Sequence, residues 1–225
     1  MTKFFLGVDL GQSQDYTAIC VLERLESSTE ANKKQFTYHL RHLERVRGMP
    51  YQSIVDRVAK MMHTPELKGE TSLVIDQTGC GRPVFDMFTE GELDPVGISI
   101  HGGDSVTHEG HNWRVPKRDL VGCLQVLLQS SRLKISSELA LGPILQQEML
   151  NFRVKIDPLT AHDSYSSWRD GDHDDLVLAI SLACWYAESG PKPVPICLPG
   201  APRKRRNGGM VLWRPHGCGG RWGGY

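Results

Sequence analysis

Ten consecutive residues, Leu176 to Trp185 (LVLAISLACW), carry nothing more polar than a serine. A helix that is apolar nearly all round has to be packed on every side, and the partner that covers so much surface is a sheet. The segment is too short to be a membrane span, and no run of roughly 18 apolar residues occurs anywhere in the chain. Asp9 interrupts the N-terminal apolar run before a signal-peptide core can form. Six cysteines lie far apart with no C-x-x-C pair, so neither a disulfide framework nor a zinc ribbon is written here. A reducing cytoplasm is the expected setting, and no membrane partner is expected.

The rest of the chain supplies the sheet. Phe4 to Leu10 is an apolar run ended by Gly11, and Thr17 to Leu22 resumes it as the second arm of a hairpin. Glu26 to Lys34 is polar and turn-like, and Phe36 through Val46 reads as a third strand with polar positions interleaved, as at a sheet edge. After a helical pattern at Ile54, Val55, Val58, Met61 and Met62, the β-branched run Thr71 to Asp76 reads as a buried parallel strand. A short helix from Pro83 to Phe88 leads to a fifth strand, Val96 to Ile100, and then to a long polar loop, His101 to Pro116. Helices follow over Lys117 to Leu128 and Leu141 to Phe152, then an Asp-, Ser- and Gly-rich loop over 157–175. The expectation is an α/β fold: a mixed five-stranded sheet, three antiparallel strands and then parallel ones, flanked by helices.

Net charge is zero, but the charge is not evenly spread. Residues 201–225 contain Arg203, Lys204, Arg205, Arg206, Arg214 and Arg221 with no acid, and the remainder is correspondingly acidic. An acidic body argues against a protein that coats nucleic acid indiscriminately. Prolines at 191, 193, 195, 199 and 202 and the glycine pairs beyond them leave little for a core. The chain therefore divides into a domain over 1–190 and a basic Pro/Gly-rich flexible tail over 191–225. The tail's Arg203-Lys204-Arg205-Arg206 reads equally as a sequence-independent DNA anchor and as a solubility or docking segment.

Acids mark the places where apolar elements meet loops. Asp9 lies in the first strand, Asp76 ends the fourth, and Asp174 and Asp175 precede the buried last helix. If the first and fourth strands are neighbours, Asp9 and Asp76 meet, and the helix delivers a further carboxylate. Such a cluster repels itself unless a divalent cation neutralises it, and hard oxygen donors suit Mg²⁺ or Mn²⁺. Each acid alone also has a simpler reading, because Asp ends strands in turns and caps helices. The ordered set is what favours a metal site.

The motifs Gly7-Val8-Asp9-Leu10-Gly11 to Asp15-Tyr16-Thr17-Ala18-Ile19, Val74-Ile75-Asp76-Gln77-Thr78-Gly79, Val115-Pro116-Lys117, Gln147-Glu148-Met149-Leu150 and His173-Asp174-Asp175-Leu176 follow one another in an order that resembles the nuclease domain of phage terminase large subunits. The resemblance covers residues 4–188 and implies a ribonuclease H-like (retroviral integrase superfamily) fold. It implies catalytic carboxylates at Asp9, Asp76 and Asp175, with Asp174 as a further metal ligand and two Mg²⁺ or Mn²⁺ ions between them. The implied activity is metal-dependent endonucleolytic cleavage of DNA, with duplex DNA the expected substrate, leaving a 5′-phosphate and a 3′-hydroxyl. Its setting would be the cutting of concatemeric viral DNA during genome packaging, in the cytoplasm of a bacterial host. No G-x-x-x-x-G-K-[ST] loop is present, so a separate packaging ATPase, or a portal or small-subunit partner, would have to supply translocation. A structure-selective nuclease resembling Holliday-junction resolvases and a non-catalytic assembly module on the same fold are the alternatives.

Other residues are open to two readings. Arg114, Lys117 and Arg118 bracket a helix start, where they would hold phosphates or simply be solvated. His173 is a further ligand, a proton carrier or an exposed loop residue. His101, His108 and His111, with Asp104 and Glu109, have loose zinc-ligand spacing but no cysteine. Glu148 belongs to a surface or to a supporting shell, Asp15 to the hairpin turn, and Trp168 to local packing or base stacking.

Overall fold

Alternation along the first strand decides which side chains the two faces of the sheet receive. A computed structural model describes residues 3–11, 15–28, 34–79, 81–153 and 173–190. In β1 (Phe4–Asp9), Phe4, Leu6 and Val8 join one core cluster with Ile54, Val55 and Val58 of α1 (Tyr51–Met62). Phe5 points the other way, into a cluster with Leu176, Val177, Ala179 and Ile180 of α5 (Asp175–Ser189). By the same alternation Gly7 and Asp9 belong to the α5 face.

β1 pairs antiparallel with β2 (Tyr16–Ser28), which pairs antiparallel with β3 (Lys34–Arg47). On its other side β1 pairs parallel with β4 (Thr71–Asp76), which pairs parallel with β5 (Pro95–His101). This is the expected five-strand core, mixed as the sequence implies, with the first and fourth strands adjacent.

The sheet is wider than expected. Its order is β6-β7-β5-β4-β1-β2-β3-β8, where β6 is Thr107–Glu109, β7 is Asn112–Pro116 and β8 is Leu133–Ile135. The stretch read as a long loop over 101–116 holds an antiparallel hairpin whose second strand extends β5 in parallel. Trp113 and Val115 alternate inwards to pack with Leu182 and Trp185, whereas every residue of β6 is exposed. Five residues and three residues give too few alternations for a periodic signal. β8 is three residues long and shields β3, so β3 is not the final edge.

α1 and α2 (Gly81–Glu90) cover one face, while α3 (Lys117–Gln129), α4 (Gly142–Arg153) and α5 lie on the other. Every residue from Asp175 to Trp185 is buried, as the apolar composition demands. α5 seats unusually close to β1. A Cβ at Gly7 would stand 2.1 Å from the Ala179 carbonyl oxygen, and the Cys20 thiol donates to that oxygen at 3.3 Å. No helix among the described residues is long and apolar enough to cross a membrane. The 191–225 tail, with Arg203, Lys204, Arg205 and Arg206, and Trp168 lie outside the described residues.

Candidate functional site

Parallel pairing of β1 and β4 ends at Val8 opposite Ile75, so the next residues, Asp9 and Asp76, leave the centre of the sheet together. Both lie on the face that α5 covers, since Val74, two residues before Asp76, packs with Leu182 and Trp185. α5 begins at the same end of the sheet and brings Asp174 and Asp175 with it. The electrostatics record the convergence. Burial, then the charges of Asp76, Asp175 and Asp174 in that order, hold the Asp9 carboxyl well above the usual carboxylate range, and Lys117 pulls it back.

Each neighbouring acid has a partner. Asp76 Oδ1 accepts the Thr78 amide at 2.7 Å and the Thr78 hydroxyl at 2.5 Å, and the Thr78 hydroxyl oxygen accepts the Ile100 amide at 2.7 Å. The turn-capping reading of Asp76 is thus also true, and it ties the carboxylate to β5. Burial still raises Asp76, with Asp174 adding to it, although the Thr78 bonds and Lys117 oppose the shift. Asp174 occupies the N-cap position of α5 but makes no capping bond with its side chain. Its Oδ2 lies 3.2 Å from Lys117 Nζ, at the first residue of α3.

Asp175 Oδ2 accepts from Arg45 Nη2 at 2.7 Å and Nε at 3.1 Å. Burial raises its carboxyl and this guanidinium opposes the rise. Arg45, on β3, lies over the Tyr16 ring at 3.9 Å from its centroid, and His173 meets that ring edge-on at 4.9 Å. His173 Nδ1 is 3.9 Å from Asp175 Oδ2, which places this histidine beside the acids.

The remaining sequence candidates fall elsewhere. Arg114 is exposed on β7, opposite in alternation to the inward Trp113 and Val115. Arg118 pairs with Asp104 at 2.6 Å, away from the acids that Lys117 faces. The histidine group 101–111 is dispersed: His108 stacks on Trp113, His111 pairs with Asp94, and His101 accepts the Gly103 amide. These separate engagements leave no basis for the zinc reading.

Two site residues have little signal in the sequence. Nothing marks Arg45 among the charged residues of β3. Glu148, read from sequence as a surface or supporting residue, is buried on the α5 side of α4, and its Oε2 accepts the Leu176 and Val177 amides at 3.0 and 3.2 Å. Burial pushes this carboxyl up to about 7 against those amides and Arg45. Its position three residues after the buried Leu145 was the available clue.

Among the described residues no three His, Cys, Asp or Glu side chains stand in ready-made coordinating geometry. The acids are turned towards Thr78, Lys117 and Arg45, as carboxylates must be when protein cations are the positive charges at hand. The donor set nonetheless suits a hard divalent ion: carboxylate oxygens from a strand pair and a helix start, with a mutual repulsion that Lys117 and Arg45 only partly offset.

Neither a family model nor a curated protein matches the sequence. Among solved structures, the large terminase nuclease from thermophilic phage G20c aligns over 83% of this chain and 82% of its own, at 17% identity and a TM-score of 0.51. The fold is ribonuclease H-like. Looser overlaps are found with the Mn-soaked human cytomegalovirus terminase nuclease domain (14% identity, TM-score 0.46, 83% and 85% covered) and with Thermus thermophilus RuvC (13%, 0.40, 83% and 96%). In this ribonuclease H-like frame the acids occupy the carboxyl ends of the two central strands and the start of the helix packed across them.

Proposed function

We propose that the chain is a divalent-metal-dependent endonuclease acting on DNA, with the terminase-type cutting of concatemeric viral DNA in the cytoplasm of a bacterial host as its setting. The observation that carries the reading is the gathering of three other aspartates, from a second strand and a helix start, around the Asp9 carboxyl, which burial first and then their charges hold high. Isolated turn and helix caps have no need to meet. The fold shared with the G20c nuclease supports the same reading.

Asp9, Asp76 and Asp175, with Asp174, would hold two Mg²⁺ or Mn²⁺ ions, which when bound make water a nucleophile at neutral pH and stabilise the charge on the leaving oxygen. Asp9 and Asp76 sit on the ends of hydrogen-bonded strands, so their spacing is set by the sheet and not by a loop. Lys117, already beside Asp174, would meet a substrate phosphate at this site. Arg114 and Arg118 are proposed as more distant backbone contacts, and the basic run 203–206 as a sequence-independent DNA anchor. Water attack at phosphorus with departure of the 3′-oxygen leaves a 5′-phosphate and a 3′-hydroxyl. A separate chain would provide ATP-driven movement of the DNA.

The test is incubation of plasmid DNA with Mn²⁺ and either the protein or Asp9→Ala, with a four-way junction assayed in parallel. Nicking by the unaltered protein alone is expected. Equal nicking by both sinks the proposal, preference for the junction moves it to a structure-selective nuclease, and no cleavage by either moves it to an assembly module.

A further inference from the structure

The first turn of a helix exposes backbone N–H groups that require acceptors, and the N-cap side chain ordinarily supplies one. At α5 that residue is Asp174, yet its side chain makes no capping bond and pairs with Lys117 instead. The Leu176 and Val177 amides donate to Glu148 Oε2, which reaches them from α4. Glu148 is only 5% exposed. Its other oxygen, Oε1, accepts no hydrogen bond among the described residues and stands 3.6 Å from Arg45 Nη2. That same nitrogen is 2.7 Å from Asp175 Oδ2.

We infer that Glu148 is a positioning residue for both acids at the start of α5, an inference that rests on the metal-binding reading above. It caps the helix from outside the helix, which frees the Asp174 carboxylate to face the site. Through Arg45 it also fixes the guanidinium that orients Asp175. Packing alone does not explain a carboxylate here. The position continues the buried stripe of α4 after Leu145, where an apolar side chain would fill the space without burying an under-partnered oxygen.

The test compares Glu148→Gln with Glu148→Met in the full chain. Glutamine keeps an oxygen that accepts both amides, whereas methionine fills similar space without an acceptor. Two quantities are measured: hydrogen exchange at Leu176 and Val177, and Mn²⁺ affinity by calorimetry. Methionine is expected to accelerate exchange at both amides and to weaken Mn²⁺ binding by roughly tenfold or more, the usual effect of removing a residue that holds a metal ligand in place. Glutamine should keep exchange slow and recover most of the affinity, a rescue that a space-filling role would not produce. Equal Mn²⁺ affinities in the two variants would overturn the inference. So would fast exchange at these amides in Asp174→Asn, which should leave them untouched. If Glu148→Met does not fold, Glu148→Ala takes its place under the same criteria. Failure of the unaltered protein to bind Mn²⁺ would overturn the metal reading and the positioning role with it, while the exchange contrast would still identify the residue that caps the helix.

Discussion

The two ends of α5 solve the same electrostatic problem in opposite ways. At the C-terminal end Glu188 accepts from Arg132 at 2.6 and 3.0 Å and from the Tyr38 hydroxyl at 2.5 Å. Those partners hold Glu188 below the usual carboxylate range despite burial. At the N-terminal end Asp9, Asp76, Asp174, Asp175 and Glu148 share Arg45 and Lys117, and Asp9, Asp76, Asp175 and Glu148 are all shifted upwards. A carboxylate paired one to one with an arginine is architecture. Carboxylates that outnumber the cations beside them among the described residues are what the proposed function would have a divalent ion offset, and the contrast within a single helix separates the two arrangements.

The largest expected effect falls on one end only. Asp76→Asn should reduce Mn²⁺-dependent plasmid cleavage by roughly 10²–10³-fold, the scale at which removing a group that stabilises transition-state charge is felt. Glu188→Gln should leave cleavage rates unchanged in the same gel assay. Next in size, Arg132→Ala should destabilise the fold by roughly 2 kcal/mol in urea denaturation, because it strips a half-buried carboxylate of charged hydrogen bonds, again without altering metal-dependent cleavage. A stability loss as large for Lys117→Ala would erase the distinction, because Lys117 would then be architecture as well.

Smaller, and opposite in sign, is the response of the metal-free protein to removing charge at the crowded end. Asp9→Asn should raise its stability by about 1 kcal/mol, since the neutral form is the one the surroundings favour. The remaining response is the pH profile. Glu148 is shifted from 4.5 to about 7 by folding, so its contribution is present when protonated and is lost as pH rises through that interval. Glu188 is shifted down, so its contribution is present above the ordinary carboxylate value and is lost as pH falls below it. Metal-free melting temperatures should therefore decline towards neutral pH. Glu148→Gln should flatten that arm, Glu188→Gln the acidic arm, and Mn²⁺ should restore stability chiefly at neutral pH.

The acids on β1 and β4 were legible because they lie in or end apolar runs whose strand character is unambiguous, whereas the adjacency of the first and fourth strands was a condition that only the pairing of β1 with β4 meets. Asp174 and Asp175 were legible because α5 starts where the apolar stretch does. Short elements were not legible: β6, β7 and β8 gain their order from pairing with β5 and β3, a long-range effect that leaves no local period. Nor was Arg45, whose role depends on which strand face meets α5. Glu148 stood within a quoted motif, but its role is set by α4 lying against the start of α5, a packing fact that no local pattern encodes.

The side-by-side exit of Asp9 and Asp76 also makes the centre all-or-none with respect to insertion and deletion. Side chains alternate strictly along a strand, so losing or gaining one residue ahead of either aspartate would send its carboxylate to the α1 side of the sheet, among Ile54, Val55 and Val58. An in-frame insertion or deletion of a single codon in β1 or β4 is therefore a harsher lesion than most point substitutions: it turns half of the centre inside out.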